Sequence, residues 1–255
     1  MCSVEKTNIV VLFKSITTAI TFLIAVGCNF QSKPIEPHPK LSHVCELFET
    51  SEEILTFNLG KDASSINGPQ LSLPREYFPP FKRGRYRNKT LDGAALFYVR
   101  LKDFGPLTKI EKQNSLKKSP RIHASILLTS DLDLDKIFTA HTTGEINKRH
   151  NHDFKSMKLN ENGLVYYGKS IGKGYAANDI YLNANNNQIS DLFFCATHNP
   201  NYKASAVRSC KYYINYKDVN VKFTFDLAHL HQWHTYREYI LELMSCATKA
   251  NISSN

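Results

Sequence analysis

The stretch Val219–Phe225 constrains this chain more than any other. Val219, Val221, Phe223 and Phe225 alternate with Asn220, Lys222 and Thr224, a strict period of two that only a strand with one buried face satisfies. Tyr212–Tyr216 precedes it across Lys217-Asp218, so the pair reads as an antiparallel hairpin. Asp226 then stands at the head of a helix predicted to run to about Ala247. Its Trp233, Tyr236, Ile240, Leu243 and Ala247 form one apolar stripe that needs a sheet to cover it. The remaining pattern repeats this grammar. Strands are expected at Thr56–Leu59, Ala94–Leu101, Ile122–Leu128, Leu164–Tyr167, Asp179–Asn183 and Ile189–Cys195, with a turn at Asn185–Asn187. A helix is expected over Leu41–Leu55, and a short one capped by Ser130 and reaching Phe138. Pro74–Pro80 reads as irregular. The predicted class is α+β: a mostly antiparallel β-sheet with N-terminal and C-terminal helices packed against it.

The N-terminus sets the compartment. Lys6 and Lys14 precede an uncharged apolar run, Ile16–Gly27, which is too short to cross a hydrocarbon core of about 30 Å and has the length of a signal-peptide core. It ends Ile24-Ala-Val-Gly27 before Cys28. A small residue before a cysteine is the cleavage pattern of a bacterial lipoprotein, although Ala25 stands where Leu is usual. The expectation is a signal peptide over 1–27, a lipidated Cys28 opening a Pro-rich tether over 28–40, and a single globular domain over 41–255. An ordinary secretory signal is the other reading of the same run. Asn29 after the cysteine, rather than Asp, fits anchoring to the inner leaflet of the outer membrane.

Loss of residues 1–27 removes Lys6, Lys14 and Glu5 and leaves a formal charge of +8. That excess calls for an acidic partner: a protein face, anionic lipid or nucleic acid. Export disfavours nucleic acid and nucleotide. A run at Phe81–Lys89 concentrates the charge. Within it Arg83, Arg85 and Arg87 flank Tyr86, a candidate contact patch because guanidinium groups grip carboxylates through two hydrogen bonds. A solvated loop is the plainer reading of such a run.

Several motifs fail on inspection. Gly163-x4-Gly168-Lys169-Ser170 spells a phosphate-binding loop, but its four intervening residues are bulky and strand-like, and no helix start follows. Asp131-Leu-Asp-Leu-Asp135 lacks the glycine and the distal glutamate of a calcium loop and is better placed as the acidic first turn of a helix. His141, His150 and His152 lie among cations. His229, His231 and His234 do not share a helical face, so no metal site is expected from either group. No serine-hydrolase elbow, zinc-protease motif or catalytic Cys–His signature occurs, and no cofactor is called for.

Beyond Cys28 four cysteines remain: Cys45, Cys195, Cys210 and Cys246. Four cysteines allow three connectivities. The spacing favours Cys195–Cys210, joining two strands across one loop, and elimination then leaves Cys45–Cys246. Four free buried thiols is the alternative.

Leu73-Pro-Arg-Glu76, Asp92-Gly-Ala-Ala-Leu-Phe-Tyr98, Asp179-Ile-Tyr-Leu182, Cys195, Cys210, the strand Val219–Phe225, Trp233 and the closing helix follow the lipoprotein-like start in that order. This layout resembles the small periplasmic lipoproteins that act as immunity proteins to type VI secretion effectors, especially phospholipase toxins. The resemblance implies a non-catalytic protein that binds a cognate effector and occludes its active site. Two other classes fit the same sequence: a cell-envelope ligand-binding or assembly lipoprotein, and an envelope hydrolase whose site carries no known signature.

Overall fold

The β7–β8 hairpin shows how local chemistry builds the sheet. Strands β7 (Asn178–Asn185) and β8 (Gln188–Ala196) are joined by Asn186 and Asn187, both left-handed at φ 52° and 63°. Asparagine tolerates that region, and two consecutive left-handed residues give a turn whose twist matches the strands. The next hairpin, β9 (Ser209–Tyr216) to β10 (Val219–Asp226), turns through Lys217 at φ 51°. In β10 Val219, Val221, Phe223 and Phe225 are all buried, as their alternation requires.

The structure is a computed structural model. It describes residues 42–60, 68–78, 90–111, 123–130, 132–145, 153–171, 178–196 and 208–249, all within one compact unit, His38–Asn255. The remaining elements are β4 (Ala95–Arg100), β5 (His123–Ser130) and β6 (Val165–Lys169), which complete a seven-stranded antiparallel sheet in the order β4-β5-β10-β9-β8-β7-β6. A second sheet joins β1 (Ile54–Asn58) antiparallel to β2 (Gln70–Pro74) and parallel to β3 (Thr90–Asp92). Three helices are described: α1 (Ser42–Thr50), α2 (Leu134–Thr143) and α3 (Trp233–Lys249). The class is α+β, with both terminal helices on the sheet layers.

Two apolar cores form. The larger one lies between the inner face of β4, β5, β10, β9 and β8, the small sheet and α3. The α3 stripe of Trp233, Tyr236, Ile240, Leu243 and Ala247 is fully buried there. Each large side chain of that stripe gains about 1.5–3 kcal/mol of transfer free energy, before the cost of ordering the chain. Phe104 is the hub. Its ring stacks on Phe223 at 5.4 Å and on Tyr239 at 4.8 Å. The second core lies on the other face of the sheet, where Leu134 and Phe138 of α2 pack with Phe154 over Val165, Ile180, Leu182, Leu192 and Phe194.

Several boundaries differ from the sequence reading. The first helix stops at Thr50, and Ile54 already belongs to β1, because Leu55 and Phe57 alternate into the small sheet. Gln70–Pro74, assigned no element from the sequence except at Pro74, pairs with β1, and within the expected irregular stretch Arg75–Tyr77 forms a 3-10 turn that buries Tyr77. Ser130 ends β5 and does not cap α2. Asp133 does, accepting hydrogen bonds from the N–H groups of Asp135 and Lys136. Asp226 caps a 3-10 turn, Leu227–Gln232, and the α-helix proper starts at Trp233.

The cysteines stand in two pairs. Cys195 faces Cys210 across β8 and β9, with the Cα atoms 4.0 Å apart. Cys45 on α1 meets Cys246 on α3, with the Cα atoms 5.7 Å apart. Glu242 Oε1 lies 3.2 Å from Cys45 Sγ, and this trio is a donor cluster of metal-binding size among the described residues. Sulfurs bonded to each other offer no thiolate, so disulfide and metal exclude one another at this place. Peptide mapping under non-reducing conditions is expected to recover both pairs. Replacing Cys45 and Cys246 together by Ser should lower stability by about 3–5 kcal/mol, since that closure spans 201 residues. A loss under about 1 kcal/mol would contradict the tie.

Candidate functional site

A cleft of about 490 Å³ opens where β4 ends and α3 begins. Arg100, Lys102, Glu111, His229, Gln232 and Tyr236 line it. Arg100 is committed sideways: its Nε donates to Asp103 Oδ1 at 3.0 Å and its Nη2 lies 2.9 Å from Asp103 Oδ2. The same carboxylate accepts the Gly105 N–H, and a Cβ at Gly105 would come within 2.5 Å of the guanidinium, so a larger residue there would displace the end of the Arg100 side chain. Thr108 and Glu111 form a reciprocal cap, the Glu111 N–H donating to the Thr108 hydroxyl and the Thr108 N–H to the Glu111 carboxylate. The Thr108 N–H holds the Glu111 carboxyl below the usual carboxylate range, with lesser contributions from the Thr108 hydroxyl and the charges of Arg100 and His123. His123 is buried behind it, its Nε2 3.7 Å from Glu111 Oε1, and among the described residues neither ring nitrogen has a hydrogen-bond partner. Tyr236 donates to Gln232 Oε1 at 2.7 Å, and burial keeps its phenol neutral far above its ordinary range. No serine, threonine or cysteine stands among the described lining residues, so these groups suit contact with a charged ligand better than nucleophilic chemistry.

A second polar cluster lies inside the fold. Asp191 on β8 is fully buried. Its Oδ1 accepts from the Tyr212 hydroxyl at 2.5 Å and from Arg237 Nε at 3.1 Å, and its Oδ2 from Ser190 at 2.7 Å and Asn183 at 3.0 Å. Four donors satisfy the carboxylate, which is what a buried charge requires. Burial first, then the Asp191 charge and hydrogen bond, drive the Tyr212 phenol well above its usual range. Beside it Phe193 stacks on Tyr212 at 4.3 Å and meets Trp233 edge-on at 5.7 Å, and the Trp233 N–H donates to Asn162 O at 2.8 Å. With every acceptor position used, the cluster's work is to lock α3 onto the sheet.

The residues singled out from sequence scatter. Cys28 and the basic run with Arg83, Arg85, Tyr86 and Arg87 lie outside the described residues, as do His150 and His152. His141 sits on α2 with its ring 4.1 Å from that of Phe194. Burial and the Lys211 charge lower its pKa. The sham phosphate loop is a strand: Val165–Lys169 is β6, Gly168 sits in a bulge at φ 129°, and the Ser170 hydroxyl accepts the Asn178 N–H. The cleft went unforeseen because its lining comes from three separated segments with no shared motif. Asp191 and Arg237 went unforeseen because pairing them requires the strand register. Asp191→Ala leaves the Tyr212 hydroxyl buried without its acceptor and frees Arg237. Chemical denaturation is expected to show a loss of about 2–4 kcal/mol, and a loss below about 0.5 kcal/mol would contradict the locking role.

No protein-family profile matches the chain. No curated protein matches it either. Among solved structures, it is similar to Smlt3025, an immunity protein of the Stenotrophomonas maltophilia type IV secretion system, at 13% identity over 71% of this chain and 96% of that one, with a TM-score of 0.47. It is also similar to FrpD, the iron-regulated outer membrane lipoprotein of Neisseria meningitidis, at 8% identity over 78% of this chain and 93% of that one, with a TM-score of 0.46.

Proposed function

We propose that this chain is a non-catalytic envelope protein, exported and anchored through Cys28, whose 41–255 domain binds a secreted toxin and neutralises it. One observation carries the compartment: every cysteine after residue 28 stands at disulfide distance from another. Paired cysteines persist in oxidising compartments and are rare in the cytosol. That agrees with the apolar segment ending at Cys28. Binding rather than catalysis is supported by the clusters themselves. The buried carboxylate is saturated with protein donors, and the cleft's described lining, which combines cations, the Glu111 carboxylate, His229 and a neutral phenol, holds no serine, threonine or cysteine.

The toxin class rests on the sequence resemblance, which points to a type VI effector of phospholipase type. The solved immunity protein belongs to a type IV system, and at these similarity scores neither solved structure decides between them. The basic surface asks for an acidic partner face, and Arg83, Arg85, Tyr86 and Arg87 offer one set of contacts to it. The direct test uses the product of a lipase-like effector gene beside this one, and finding no such gene there counts against the toxin reading. The purified full chain is expected to bind that effector with sub-micromolar affinity and to abolish its activity. An effector that stays fully active in excess chain, with no complex by calorimetry, would overturn the proposal.

A further inference from the structure

Among the described residues the outer face of the seven-stranded sheet is covered mainly on one half. Helix α2 and the Phe154 turn pack over β6, β7 and β8, forming the second core, which ends at Tyr213 on β9. Over β4, β5 and β10 no fully described helix packs. The register sets out what that half presents. One row runs Leu96, Leu127, Lys222, Tyr213, and the next runs Tyr98, Ser125, Thr224, Lys211. These are the residues opposite the buried Ala95, Phe97, Val99, Ile126, Phe223 and Tyr212.

The chemistry of the two rows is specific. Leu96 is 47% exposed on a sheet face, where an aliphatic side chain gains nothing from water. Lys222 is half-buried and its ammonium lies 5.8 Å from the centre of the Tyr213 ring. Thr224 pairs with Lys211 in the neighbouring row. Among the described residues neither lysine has a carboxylate partner, and no Asp or Glu belongs to either row. Burial first, and then the charge of Lys211, lower the pKa of Lys222. A carboxylate brought to this face opposes that shift. The result is an apolar and aromatic surface around two uncompensated cations, the composition of a binding core rather than of a solvated surface.

We propose that this half-face, formed by β4, β5, β10 and β9, is the docking surface for a partner protein that presents carboxylates around an apolar contact. It rests on the toxin-binding reading and names the face that does the binding. Charge complementarity commits it to an acidic protein: the exported part of the chain carries a formal +8, and the two lysines here await counter-charges. An anionic bilayer is the competing occupant. Headgroups engage cations that stand clear of the surface, whereas Lys222 is half-buried beside Tyr213 and is met by a ligand shaped to the sheet.

The test measures binding of the full chain to the effector encoded beside its gene and to phosphatidylglycerol vesicles. Variants are Lys211→Glu with Lys222→Gln, Leu96→Asp alone, and Lys249→Glu at the end of α3 as a control. The first two are expected to weaken effector binding at least tenfold and to flatten its salt dependence, with the control unchanged. Amine labelling of the wild type, which needs no variant to fold, is expected to show Lys211 and Lys222 protected in the complex and Lys249 not. If the wild type binds while the variants bind equally well and neither lysine is protected, this surface assignment is wrong and toxin binding stands. If the wild type does not bind, the functional reading falls as well. Vesicle binding that depends on Lys211 and Lys222, without effector binding, overturns the protein partner in favour of a membrane.

Discussion

The structure depends on α3 being held to the inner face of the sheet. Its apolar stripe supplies the burial, but burial is non-directional and would tolerate a slide along the strands. Direction comes from the buried Asp191, whose carboxylate takes one hydrogen bond from Arg237 on the helix and one from Tyr212 on β9. The Trp233 N–H fixes the helix start to Asn162, and Cys246 meets Cys45 near its other end. Three unlike devices thus locate one helix. Broken singly, a buried ion pair is costly because it strands the remaining charge.

That arrangement explains why the sheet has two unequal outer halves. With α3 and the small sheet committed to the inner face, only α2 is left among the described helices to cover the outer one. Its apolar residues, Leu134 and Phe138, reach Leu192 and Phe194, and the second core ends at Tyr213 on β9. Among the described residues no other helix covers the strands beyond. They carry leucine, tyrosine and lysine in the half-covered rows, the mixture expected where a second surface completes the packing.

Much of this fold was legible in the sequence. The alternation in Val219–Phe225, the turn expected at Asn185–Asn187 and the α3 stripe are local patterns; the strand and stripe appear where their periods placed them, and the turn narrows to Asn186 and Asn187. What escaped was non-local or ambiguous. Gln70–Pro74 is too short to show a period, and only its pairing with β1 makes it a strand. Ser130 and Asp133 are both good caps by residue type. The pairing of β5 with β10 extends the strand through Ser130, which leaves Asp133 to do the capping. Candidate sites were the least legible, since Asp191 and Arg237 become neighbours only through helix docking, and Leu96 and Lys222 fall in one row, on either side of Leu127, only through strand register.

Partner contact at the half-covered face of β4, β5, β10 and β9, as proposed, differs in position from contact at the cleft beside α3, and the two can be told apart directly. A photocrosslinking amino acid placed at Leu96, and in a separate chain at Gln232 in the cleft, tests this in cells producing the neighbouring effector. The account predicts a covalent adduct with the effector from position 96 and none from position 232. An adduct from position 232 alone would contradict it.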